Sequence, residues 1–417
     1  MDETSLRGLL ETALRDEPAI GPVAGNSLRA GIKLRRRARI RRAAGGTAVV
    51  VAMAVVIPAA AGVFGNTAAR PHPGTAHKRA AGPHHEAART GTAYVINSGG
   101  GTVTPINVAT NTAGKPIAVS GEPVAMAIAP DGKTAYIASG GSNGGALPTS
   151  DQSMIPIDLA TGTPGKPIDL QWPPDEIVIT PDGKTAYISN GFPSTTLTPV
   201  DLATGTPGKP VKLSVEPEAI AMAPKGKTAY ITTQTDTGTP PNMRAAYKFV
   251  PIDLATYKLG KAVKLSGQPG AFAIAPDGKT AYVTSFSAGT VTPVNLTTDR
   301  AGKPIKVSGK PPAAAFYGTP MAIAIAPDGK TAYVANGASS TVTPINLKTD
   351  RAGKPIKISG KLGADAIAIT PDGSAAYVAN QPSSTVTPID LATAKAGKPI
   401  EIGHGWNSGF EAIAIVP

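Results

Sequence analysis

The chain has 417 residues, is rich in Gly (47) and Pro (41), contains no cysteine, and carries a net charge of +12. The lack of cysteine excludes disulfides, thiolate nucleophiles and thiolate metal ligands. The charge is uneven: residues 1–90 hold 14 Lys and Arg against 6 Asp and Glu, which leaves 26 against 22 for residues 91–417. The basic excess belongs mainly to a tail, and this argues against nucleic acid as the partner of the folded part.

Residues 1–46 read as a basic cytoplasmic tail. Thr4 to Asp16 sets Leu6, Leu9, Leu10 and Leu14 at helical spacing, a short amphipathic helix. Arg29 to Arg42 then gathers eight Lys and Arg residues with no aromatic among them. An apolar segment, residues 47–64, follows directly. A basic cluster beside an apolar segment is the positive-inside pattern. The reading is an N-terminal transmembrane helix, single-pass, with the N-terminus cytoplasmic and the bulk of the chain extracytoplasmic. The segment is near the lower length limit for spanning. The alternative is secretion after cleavage near Ala61, within a run of small residues. Residues 65–90 are a flexible linker carrying His72, His77, His84 and His85.

From residue 91 the chain repeats with a period near forty, the mark of a repeat architecture. Met321 to Gly360 is the plainest copy. Ala322 to Ala326 alternates small and branched residues and stops at the turn tetrad Pro327-Asp328-Gly329-Lys330. Thr331 to Asn336 predicts a second strand, Thr341 to Leu347 a third and Lys354 to Ile358 a fourth. Four short antiparallel strands per unit is the pattern of a propeller blade.

Tyrosines of the second strand count the copies: Tyr94, Tyr136, Tyr187, Tyr230, Tyr282, Tyr333 and Tyr377. The region begins at a second strand and ends on an unpartnered first strand, Ala412 to Val416. The expected fold is therefore all-β, a seven-bladed β-propeller over residues 91–417. One blade takes three strands from the front and one from the back. Such closure protects strand edges without disulfides.

These repeats resemble the YVTN-type β-propeller repeat, as found in YncE-like proteins. The motif stands as Tyr333-Val334-Ala335-Asn336 and Tyr377-Val378-Ala379-Asn380, with relaxed copies at Tyr136 to Ser139 and Tyr282 to Ser285. The resemblance implies a propeller fold and is unspecific for function. Such propellers include surface-layer and periplasmic proteins, and related ones are lactonases or lyases.

Aligned six residues before the closing proline stand Val124, Asp175, Glu218, Gly270, Met321, Asp365 and Glu411. Four are carboxylates, and Glu122 and Glu216 lie two residues further out. This predicts an acidic channel mouth. Asp175, Glu218, Asp365 and Glu411 would hold a divalent cation such as Ca²⁺, a hard ion suited to oxygen ligands. Trp172, Arg244, His404 and Trp406 fall on loops of the same end, a recognition surface. The opposite face is expected to carry the lysines of both the Pro-Asp-Gly-Lys and Ala-Gly-Lys-Pro turns. His404 is the one histidine after the linker, and no H-E-x-x-H or phosphate loop is present. The composite expectation is a monomeric, membrane-anchored binding or scaffolding module for a protein, peptide or cell-envelope ligand. The alternative is a metal-assisted lactonase or lyase working through the acidic mouth.

Overall fold

The computed structural model describes residues 91–140, 152–190, 195–237, 244–307, 320–358, 363–403 and 412–416. The tail, the apolar segment 47–64 and the linker lie outside the described residues. Among the described residues, no helix is long and apolar enough to cross a membrane.

The Met321–Gly360 repeat folds as a sheet of Ala322–Ile325, Thr331–Asn336, Thr341–Asn346, and the short pieces Arg351–Ala352 and Ile356–Lys357. The first hairpin closes because Gly329 adopts φ 67° and the Asp328 carboxylate accepts the Lys330 N–H at 2.9 Å. The second hairpin is held by the motif asparagine. Asn336 Nδ2 donates to Thr343 Oγ1 at 2.9 Å and to Thr341 Oγ1 at 3.2 Å. Asn380 does the same with Thr387 and Thr385. The asparagine of the repeat is thus a buried clip between strands. The third strand ends on Asn or Asp, whose side chain accepts the N–H three residues on, in all seven blades.

The fourth strand departs from expectation. It is split in two, and the reason is the proline of the third strand. Pro344 has no N–H to offer outward, while its carbonyl accepts the Gly353 N–H at 2.7 Å. The outer strand must bulge over the ring. Every blade repeats this pair, from Gly114 on Pro105 to Gly397 on Pro388. The Ala-Gly-Lys-Pro segments therefore interrupt the outer strand midway along the rim, and their lysines do not share a face with the Pro-Asp-Gly-Lys turns. At Gly302 an added Cβ would meet Pro293 Cγ at 2.9 Å. Gly302→Ala should cost about 1–3 kcal/mol by overpacking. An unchanged midpoint in urea denaturation would mean that the ring and rim do not press on each other.

Seven such sheets surround an axis. Their first strands are Glu122–Ile128, Pro174–Ile179, Pro217–Met222, Pro269–Ile274, Ala322–Ile325, Ala364–Ile369 and Ile413–Val416, for blades 1 to 7. Each touches the next, and the last touches the first. Blade 7 is the predicted composite, with Thr92↔Val416 through Val95↔Ile413 in antiparallel register beside strand Thr102–Asn107.

The core is seven seams between blades, and the alternating pattern of strand 1 builds them. Small residues on one face pack under branched residues of the next blade. Ala322 and Ala324 meet Ile367 and Ile369, and Ala412 and Val416 meet Met126 and Ile128. Alanine lets the blades approach near the axis, where a ring has least room. The counting tyrosines reach further out: Tyr377 of blade 6 sets its hydroxyl 2.6 Å from Asn111 Oδ1 of blade 7.

Candidate functional site

The seven first strands begin at one end of the axis, which we call the mouth. The column six residues before the closing proline has a definite structural identity there. In blades 1, 2, 3 and 6 it is a β-bulge, with the register slipping at Val124, Asp175, Glu218 and Asp365. In blade 4 the slip spans Gly270 and Ala271. A bulge re-aims the side chain it carries, so an alignment column does not translate into one direction. Asp175 is exposed, while Glu218 and Asp365 are half-buried.

Asp365 has the clearest chemistry of the expected set. Its Oδ2 accepts the Gln381 N–H at 3.2 Å. Its Oδ1 is buried and has no hydrogen-bond partner. Burial pushes its pKa up to about 6, with the Gln381 N–H pulling against the shift. The group therefore changes charge near neutrality.

The other expected residues scatter. Glu122 opens strand 1 of blade 1, and Glu216 just precedes that of blade 3; both are half-buried. Trp172 is half-buried and fixed through its carbonyl, which accepts Asn190 Nδ2 at 3.2 Å. Arg244 opens the second strand of the long hairpin of blade 3, Thr228–Thr237 and Arg244–Asp253, opposite Thr237. His404, Trp406 and Glu411 lie outside the described residues. Among the described residues no three His, Asp or Glu side chains gather as a metal centre. The expected four-carboxylate ring thus has Asp175 pointing to solvent, Glu218 and Asp365 on separate blades, and Glu411 outside the described set.

Sequence reasoning missed Glu176. It stands one residue beyond the chosen column, where the other six blades have Ala125, Ala219, Ala271, Ala322, Ala366 and Ala412. It is 5% exposed. Its Oε2 accepts the Ile220 N–H of blade 3 at 2.7 Å, and its Oε1 is buried without a hydrogen-bond partner. Burial raises its pKa well above the usual carboxyl value, opposed by the Ile220 N–H and assisted by the charge of Asp175. One acid among six alanines in an equivalent column was a signal available in the sequence.

No protein-family model matches the sequence, and no curated protein is detectably similar to it. Solved structures do match. The periplasmic gluconolactonase PpgL of Pseudomonas aeruginosa superposes with a TM-score of 0.60 at 16% identity, over 78% of this chain and 99% of that one. Hydrazine synthase of Kuenenia stuttgartiensis gives 0.58 at 20%, over 76% and 99%. The dihydro-heme d1 dehydrogenase NirN gives 0.55 at 15%, over 80% and 77%. These three names span unrelated chemistries, so what the chain shares with them is the propeller fold, and function must be argued from its own residues.

Proposed function

We propose that this is an extracytoplasmic propeller, held to a membrane through residues 47–64, that binds a ligand at its mouth. The Tyr-Val-Ala-Asn repeats support a place among YVTN-type propellers. The observation that carries the binding reading is Asp365: a carboxylate at the mouth with one oxygen fixed and the other buried and empty. Such a group is completed by a ligand that brings a hydrogen-bond donor or a positive charge. Amine-bearing peptides and cell-wall polymer have this character, and both occur where the propeller would lie.

Binding of purified peptidoglycan in a sedimentation assay tests the reading. Asp365→Asn, isosteric and uncharged, should weaken it at least tenfold. Affinity of the unmodified protein should fall as pH drops through 6, because protonation removes the charge of Asp365. Equal binding by both proteins at every pH would sink it.

A second reading has one specific support. A carboxylate with pKa about 6 is suited to act as a general base near neutrality, and a gluconolactonase shares the fold. Lactone hydrolysis by the purified protein that Asp365→Asn abolishes would replace binding with catalysis.

A further inference from the structure

The seam between blades 2 and 3 differs from the other six, and the difference is Glu176. In the other seams an alanine fills its slot under a large residue of the next blade. Packing therefore asks for a methyl group here, and the chain supplies a carboxylate. Val178, two residues on and on the same face, packs normally against Ile220 and Met222.

The ladder fixes where the carboxylate head lies. Ala223 N–H bonds to Thr228 carbonyl, inside the blade. Antiparallel alternation then turns the N–H and C=O of Ile220 and Met222 to the other side. Pro217–Met222 is the innermost strand of its sheet, so that side is the open axial edge. The head of Glu176, held at 2.7 Å on the Ile220 N–H, consequently stands in the axial wall. Its Oε1 is buried without a hydrogen-bond partner, and antiparallel alternation leaves main-chain carbonyls of the innermost strands unpaired along the same edge. Glu218 sits two residues before Ile220 on the same strand and is half-buried.

We propose that Glu176 and Glu218 bind a hard divalent cation of the Ca²⁺ class in the axial wall between blades 2 and 3. Two carboxylates balance its charge, and axial carbonyls and water complete an all-oxygen shell. Soft metals are disfavoured, since the protein has no cysteine. The site is separate from Asp365, which lies on blade 6. Its absence from the sequence-level expectation follows from the bulge, which put Asp175 in the inspected column and Glu176 in the wall.

The test uses the full chain, stripped with EDTA, and CaCl₂ alone. Calorimetric titration at pH 7.5 should show one site, and the melting temperature should rise with added Ca²⁺. Glu176→Ala installs the residue of the other six blades, so it should fold and melt at or above the stripped parent, and it should give no Ca²⁺ heat and no shift. Glu218→Gln should weaken binding at least tenfold while keeping the fold. The proposal is overturned if the folded parent shows neither heat nor shift. It is equally overturned if Ca²⁺ binding persists in Glu176→Ala.

Discussion

Removal of residues 412–417 should abolish cooperative folding of the propeller. The deleted stretch contributes strand Ile413–Val416, which pairs with Thr92 to Val95, and the Ala412 carbonyl, which accepts the Ile96 N–H at 3.0 Å. It also belongs to two seams at once. Ile413 packs with Ala366 and Tyr377 of blade 6, while Ala412 and Val416 pack with Met126 and Ile128 of blade 1. Burial of each Ile or Val side chain is worth about 1.5–3 kcal/mol. The loss of the buried Ile413 and Val416 thus comes to roughly 3–6 kcal/mol, before the half-buried Ile415 and the opened seams are counted. A domain's whole stability is about 5–15 kcal/mol. The truncated chain should show no sharp melting transition, and a peptide spanning the deleted residues should restore one in trans. A truncated protein that melts at the parent's temperature would mean the ring is not closed by this strand.

Glu176→Ala should have the opposite effect on the metal-free protein. In EDTA at pH 8 the variant should be more stable by about 1–3 kcal/mol, the cost of a buried polar group left unsatisfied. The sign of the pH dependence follows from the raised pKa. The folded protein holds the Glu176 proton more tightly than the unfolded chain does. Stability from this group is therefore complete below the ordinary carboxyl value of 4.5. It declines as pH rises through the higher folded value. The variant's advantage should shrink towards pH 4 and grow towards pH 8, read as the difference in denaturation midpoints. Glu176→Gln, which keeps size and polarity, separates charge from volume: it should remove the pH dependence while retaining part of the packing cost. A constant offset between parent and Glu176→Ala across pH 4 to 8 would show that the carboxylate is not the origin.

Most of the architecture could be read from the chain because each repeat states the same instructions. The turn glycine at 329 closes the hairpin its tetrad suggested, and the seven tyrosines mark seven blades. Closure by Ala412 to Val416 was legible as a mismatch between the first and last repeats. The site was less legible, for a local reason. A column counted back from a proline assumes that the strand stays regular as far as the column, and here the column residue is itself the bulge, which redirects its side chain. Asp175 and Glu176 are neighbours in sequence, yet one meets solvent and the other a seam. Comparing residue identities across all seven equivalent positions would have been more discriminating than counting carboxylates, since a single acid among alanines is a stronger anomaly than four acids in a mixed column. The split fourth strand was also signalled, by a proline in every third strand, but that signal concerns the partner strand rather than its own.

That interruption has a consequence for how copies of the molecule meet. An outermost strand running straight along each blade would present a row of open N–H and C=O groups, a template on which another molecule's edge could add. Here each row is cut at its middle by a glycine pressed on a proline ring, and an exposed lysine follows at positions such as 115, 166, 209, 303 and 354. No fragment of outer strand in the regular blades exceeds two residues. Seven outer edges can therefore be crowded together without zipping into one another, and resistance to edge-to-edge aggregation is written once into the repeat and inherited by every blade.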